Sequence, residues 1–224
     1  MTGSGEDDGR VGWGVGWEVG HGIGPSCHAA ELRRRDRCLP GSSRRGTIDA
    51  WDALPARPRC RVTDGVRLRP YDERDAAVVL ALNQSNLDGV GPLDADRLHW
   101  LVGMSAQALV AEDDGTLAGF ALVFGPRTDY DSSNYAWFVD RLQDFDYLDR
   151  IVVAPSHRRR GIGGLLYDAA EDGARVRNRL ACEVYVEPPN VASLAFHAAR
   201  GYVEVGRLLQ TNGKTCSMLV KELG

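Results

Sequence analysis

Residues 147–166, YLDRIVVAPSHRRRGIGGLL, constrain this chain more than any other stretch. The apolar run ending at Val153 reads as a strand, Ala154-Pro155 stops it, and Gly161-Ile162-Gly163-Gly164 opens a helix. Glycines let backbone N–H groups approach a ligand closely, and a new helix aims its unpaired donors and positive dipole end at the same spot. Arg158, Arg159 and Arg160 add charge, so the turn reads as an anion site for a phosphate or pyrophosphate. A Walker loop needs Lys-Ser/Thr where Leu165-Leu166 stand, and a dinucleotide fingerprint needs glycine at Leu166. Neither ligand class fits.

The chain has 224 residues, which bounds it to one main domain with some extra length. Hydrophobic content of 43% and charged content of 26% are those of a globule, and no apolar stretch approaches the ~20 residues of a membrane span. A net charge of -4 argues against a general nucleic-acid binder. The 5 cysteines, Cys27, Cys38, Cys60, Cys182 and Cys216, are odd in number and contain no C-x-x-C pair, which disfavours a disulfide framework and a zinc site. No metal is expected, and the expected compartment is a reducing cytoplasm.

Residues 1–64 differ from the rest. Glycine-spaced aromatics in VGWGVGWEVGHGIG precede Arg33-Arg34-Arg35, Arg37 and Arg44-Arg45. Such a segment buries little and loses much entropy on ordering, so it is expected to be a disordered extension. A lesser reading is contact with RNA or another acidic partner, and another is that the stretch precedes the true translation start. Cys27, His28 and Cys38 read as loop residues rather than metal ligands.

Residues 65–224 carry the regular pattern. Val66-Arg67-Leu68-Arg69-Pro70 alternates as a strand, Asp72 caps a helix with the run 76–82, and a second helix is expected over 94–102. Two apolar runs, 107–112 and 117–124, flank Asp113-Asp114-Gly115, a hairpin signal. The polar and aromatic stretch 127–144 reads as a long functional loop. After the glycine turn, apolar or small residues at 162, 165, 166, 169, 170 and 173 share a helical face. A strand over 181–186 should run parallel to the strand before the turn, through a right-handed crossover. Asn190 can cap a helix ending at Gly201, and a last hairpin turns near Asn212-Gly213.

Arg158-x-x-Gly161-x-Gly163 after a strand ending Val152-Val153-Ala154-Pro155 resembles the acyl-CoA signature of the GNAT superfamily of N-acetyltransferases. Asn190-x-x-Ser193-x-x-Phe196-His197-x-x-x-Gly201-Tyr202 resembles that family's second signature, and the element order over 66–224 is similar to its layout. The resemblance implies an α/β (α+β) fold: a mixed, mostly antiparallel central sheet with a parallel pair around the acyl-CoA helix. It also implies acetyl-CoA as acyl donor, a small-molecule or amino-acid-like amine as acceptor, and allows a homodimer. A membrane and nucleic acid are not expected as partners. A non-catalytic acyl-CoA sensor and a protein N-acetyltransferase are the alternatives.

By resemblance, Ile151, Val152 and Val153 hold the pantetheine and thioester through the main chain. Arg158, Arg159, Arg160, Gly161, Ile162, Gly163 and Gly164 form the pyrophosphate loop, and Asn190, Ser193 and Phe196 match positions on the pantetheine or adenosine side. Most members of the family have Tyr where His197 stands, so the proton donor to the thiolate is His197, or another hydroxyl such as Tyr185 or Tyr202, or none. Period-2 alternation puts Asp149, Ile151 and Val153 on one strand face, and Glu183 with Tyr185 on a face of the next strand. Half-buried carboxylates there can act as bases, Glu183 first and Asp149 second. In the loop 127–144, Asp129 and Asp131 suit a cationic acceptor, while Tyr130 and Trp137 can flank its ring or chain.

Overall fold

The computed structural model describes residues 62, 63 and 65–224. The expectations for residues 1–61 and 64 lie outside the described residues. Strand structure starts slightly earlier than expected, because β1 (Val62–Thr63) pairs with Arg67 and Val66 of β2 (Val66–Pro70). Asp72 then accepts from Arg74 N, and Asp75 reaches back to the Asp72 N–H at 2.8 Å, a reciprocal cap that leads into α1 (Ala76–Gln84). Asp94 caps α2 (Ala95–Met104), which buries Leu98 and Leu101.

A tight turn joins β3 (Gln107–Asp113) to β4 (Thr116–Phe124), with both central residues left-handed, Asp114 at φ 47° and Gly115 at φ 78°. Unlike the expected loop, the next stretch contains a helix, α3 (Ser133–Val139), whose first turn Ser132 caps by accepting from Tyr135 N. It buries Tyr135 and Phe138. β5 (Asp146–Val153), α4 (Ile162–Ala174), β6 (Arg179–Glu187) and α5 (Val191–Ala199) follow, then the hairpin β7 (Val203–Leu209) and β8 (Thr215–Glu222).

The sheet order is β1-β2-β3-β4-β5-β6-β8-β7, antiparallel throughout except for the parallel pair β5 and β6. Alternation along β3 and β4 explains why both faces are apolar. Leu109, Ala111, Ala121 and Val123 pack under Ile162, Leu166 and Ala170 of α4, whereas Val110, Phe120, Leu122 and Phe124 pack with Leu98, Leu101 and Phe138 of α2 and α3. The fold is therefore a three-layer sandwich, with α4 and α5 on one face and α1, α2 and α3 on the other. Buried Glu171 ties α4 to its neighbours, accepting from Arg200 Nε at 3.0 Å and Lys221 Nζ at 2.7 Å. No helix among the described residues is long and apolar enough to cross a membrane.

Two irregularities open the sheet where the site lies. First, β5 and β6 pair only at Asp146↔Leu180 and Tyr147↔Ala181, although both strands continue well beyond. Their later edges diverge. Second, Leu122 pairs with Arg150 and Val123 with Leu148, so Asp149 is an extra residue bulged out of the β4 ladder.

Candidate active site

Between the diverging strands lies a cavity of about 890 Å³, lined by residues 148–153 of β5 and 182–185 of β6. Because the gap interrupts the sheet, the cavity reaches both faces. From the α4 and α5 side come Arg158, Tyr167, Ser193 and His197; from the α3 side come Tyr130, Asp131 and Asn134.

Between β5 and α4, Gly161 adopts φ 82°, a conformation that strains any residue with a Cβ. The first helical hydrogen bond of α4 runs from Leu165 N to Gly161 O at 3.0 Å, and no side chain caps this helix. The amides of Ile162, Gly163 and Gly164 thus precede the first intrahelical donor and point outward with the helix dipole. Gly163 also borders a pocket that Arg158 lines, which brings a cationic side chain and this helix start to one place. An anion fits here. Arg158 borders the cavity, where it donates to Asn86 Oδ1 of the α1–α2 connection and, from Nε, to Val153 O at 3.4 Å.

On the α3 face, Glu183 accepts from Tyr147 Oη at 2.8 Å and from Asn134 Nδ2 at 2.7 Å. Burial raises its pKa to about 8, and the nearby Asp149 carboxylate pushes the same way. Asp149 accepts from Tyr130 Oη at 2.7 Å and from Arg150 Nε at 3.1 Å, and burial raises its pKa too. Arg150 Nη1 in turn donates to Asn83 Oδ1 at 2.9 Å and Gly91 O at 2.8 Å, which pins the α1–α2 connection to β5.

On the opposite face, His197 is buried. Its Nδ1 lies 2.7 Å from Ser193 O, an acceptor only, so Nδ1 carries a proton and donates. Burial lowers the pKa of His197, which leaves the ring neutral at pH 7 with a bare Nε2. Tyr167 Oη donates to that nitrogen at 2.5 Å. Burial holds the phenol well above its ordinary value.

The family model described as acetyltransferase (GNAT) family matches residues 79–202, more than half of the chain. The chain belongs to the GNAT acetyltransferase family. Among curated relatives, the mycothiol acetyltransferase of Kineococcus radiotolerans is 32% identical over 143 residues, 63% of this chain and 42% of that protein. The streptothricin acetyltransferase of Streptomyces lavendulae is 39% identical over 87 residues, 39% of this chain and 38% of that protein. The chain thus spans about two fifths of the length of these curated relatives. Of solved structures, Ard1 from Thermoplasma volcanium matches with TM-score 0.57 and 17% identity, covering 71% of this chain and 99% of that one. The structure of yncA from Salmonella typhimurium with its cofactor acetyl-CoA matches with TM-score 0.56 and 18% identity, covering 72% and 95%. Both likenesses concern the fold, a GNAT fold with its mixed sheet and one parallel pair.

Against this GNAT frame the expected site residues divide. Ile151, Val152, Val153, Arg158, Asn190 and Ser193 border the cavity, and Gly163 and Phe196 border a smaller adjoining pocket shared with Tyr167 and His197. Asn190 also caps α5, accepting from Ser193 N at 3.1 Å. Ile162 offers the site its amide only, since its side chain is core. Arg160 turns away to pair with Asp113 Oδ2 at 2.6 Å, and Arg159 stands exposed in a left-handed conformation, φ 60°. The expected basic triplet therefore places one side chain, Arg158, at the cavity.

Three further expectations change. The bulge at Asp149 inverts the alternation, so Asp149 and Arg150 both face the α1–α3 side while Ile151 and Val153 pack toward α4; Asp149 does not share their face. Asp131 lines the cavity, but Arg97 neutralises it through two hydrogen bonds, one of 3.0 Å from Nη1, and so takes up the charge expected to meet a cationic acceptor. Asp129 is exposed and does not line the cavity, and neither does Trp137, whose ring fills the space over Gly206, where a Cβ would come within 2.6 Å of it. Among the described residues, no group of three or more His, Cys, Asp or Glu is placed to hold a metal ion. Sequence reasoning missed Tyr167 and Asn134, because direction into the cavity comes from tertiary packing.

Proposed function

We propose that this chain is an acetyl-CoA-dependent N-acetyltransferase that acts on the amine of a small-molecule or amino-acid-like acceptor. Membership of the acetyltransferase family supports acyl transfer, and the uncapped amides of Ile162, Gly163 and Gly164 suit a pyrophosphate. The observation that carries the reading is Glu183, a carboxyl with a pKa near 8 that lines the cavity between the diverging strands. A base of that strength can take a proton from an ammonium near neutral pH.

When bound, acetyl-CoA supplies the thioester carbonyl that the acceptor nitrogen attacks and the thiolate that departs. Residues 148–153 of β5 present backbone groups along the unpaired edge, which suits a pantetheine chain and orients the carbonyl. Glu183 accepts the acceptor's proton, directly or through water, with Asp149 second to it. Tyr167, rotating about its C–O bond from His197 to the cavity, supplies a proton to the departing sulfur. His197 itself has no proton on Nε2 and acts by holding Tyr167.

The proposed location is the cytoplasm; buried Cys182 and Cys216 are free thiols. The experiment mixes the purified chain with acetyl-CoA and a panel of amines and amino-acid derivatives and follows thiol release. Turnover supports the enzyme, binding without turnover on any amine favours a sensor, and no CoA binding by calorimetry sinks both.

A further inference from the structure

Glu183 faces charged and titratable groups from several elements. Tyr147, Asp149 and Arg150 belong to β5, Tyr167 to α4 and Cys216 to β8, while Cys182 and Tyr185 flank it on its own strand. Two neighbours hydrogen-bond its carboxyl, and they differ in kind. Tyr147 is fully buried core. Asn134 comes from the first turn of α3, lines the cavity, and donates from Nδ2 to Glu183 Oε1 at 2.7 Å.

A side-chain amide has one donor end and one acceptor end, so its orientation needs a second contact. Gln210 provides it, donating from Nε2 to Asn134 Oδ1 at 2.8 Å. The backbone of Gln210 is itself fixed in the β7–β8 connection, where its N–H donates to Lys214 O at 2.7 Å and its carbonyl accepts from Gly213 N at 3.0 Å. With the oxygen of Asn134 occupied, its NH₂ group is committed to the carboxylate. The result is a chain of amides from the β7–β8 connection through α3 to Glu183.

Resting on the reading of Glu183 as the base, we propose that Asn134, oriented by Gln210, is a positioning residue: its N–H fixes the Glu183 carboxylate toward the cavity and favours the ionised form. A donor stabilises a carboxylate more than the neutral acid, so Asn134 opposes the effect of burial and of Asp149. Without it Glu183 would gain its proton at higher pH and would lose its orientation.

The test is the pH dependence of kcat/KM together with the carboxyl-carbon NMR titration of Glu183 in saturating acetyl-CoA. Asn134→Ala is expected to move both the acid limb and the titration upward by about one pH unit, since the donor is lost but the burial is not. Gln210→Ala should move them in the same direction by less, and CoA affinity by calorimetry should stay at the wild-type value in both variants. An unmoved titration in an Asn134→Ala protein that still binds CoA overturns the proposal. Should that variant not fold, an unmoved titration in Gln210→Ala overturns it. Failure of the underlying reading is separable: full turnover in Glu183→Gln removes Glu183 as the base, while its titration in the wild-type background still reports on Asn134.

Discussion

Tyr167 Oη lies 2.5 Å from His197 Nε2, with the tyrosine as donor. The direction follows from the far side of the ring, where Nδ1 must donate to Ser193 O at 2.7 Å. In the family's second signature His197 stands where a tyrosine is usual, and this geometry returns a phenol to the same cavity from a different helix. Tyr167 is on α4 and His197 on α5, so the pair also joins the two helices.

Substitution separates the two partners. Tyr167→Phe keeps the ring packing but removes the proton, and is expected to lower kcat about 10²-fold with little change in KM, the usual size of a lost acid. His197→Phe instead leaves a buried phenol without its acceptor, which costs about 1–3 kcal/mol of stability. Steady-state kinetics and thermal melts of both variants check this; wild-type kcat in Tyr167→Phe would remove that hydroxyl from the reaction.

The pH profile decides between a histidine and a tyrosine donor. Glu183 must be ionised, so activity is expected to rise with pH through about 8. A histidine donor would need its proton, yet burial pushes His197 below its ordinary value, and the two requirements would leave almost no pH at which both hold. The phenol of Tyr167 stays protonated throughout, its pKa being held well above the ordinary value. The expected kcat/KM profile is therefore a single rise with no fall between pH 8 and about 10, and the rise should vanish in Glu183→Gln.

The parts legible in the sequence were those with local chemistry. Gly161, the pair Asp114-Gly115 and the caps Asp72 and Asn190 specify their own turns, and the structure forms each of them. Helix α3 was not legible, since its seven residues contain only Tyr135 and Phe138 as a buried pair and its aromatics suit a loop equally well. Asp149 misled the period-2 argument because a bulge depends on pairing with β4, which no local pattern in 146–153 reveals. Tyr167 sat one place beyond Leu166 in a helical pattern read for small and apolar residues; its direction toward His197 is set by how α4 packs on α5.

Gly119 should be intolerant of a side chain. A Cβ there would fall 2.7 Å from Val152 O, a backbone atom of the strand that borders the cavity, with Val153 Cα and Leu166 Cδ1 at 3.4 Å. Gly119→Ala must therefore spread β4 from β5 at the Gly119↔Val153 pair. The expected loss is about 1–3 kcal/mol of unfolding free energy by denaturant titration, together with weaker CoA binding by calorimetry. Unchanged CoA affinity would show that the edge of β5 near Val152 does not hold the donor.

Glu183 is also expected to trade stability for chemistry. Its folded pKa of about 8 lies above the ordinary 4.5, so between these values the folded chain binds more protons at this site than the unfolded chain does. A group raised in this way makes stability fall as pH rises through that window, by at most about 1.4 kcal/mol per pH unit. Below the ordinary value the site contributes nothing to the slope, and above about 8 the loss is complete. Glu183→Gln keeps the size and the contacts with Tyr147 and Asn134 in reach but removes the charge that burial penalises. The variant is therefore expected to be inactive and more stable than the wild type at pH 8, with the difference shrinking toward pH 5. Denaturant titrations of both proteins across this range measure it, and parallel stability curves would mean that Glu183 ionises in the folded chain at its ordinary pKa.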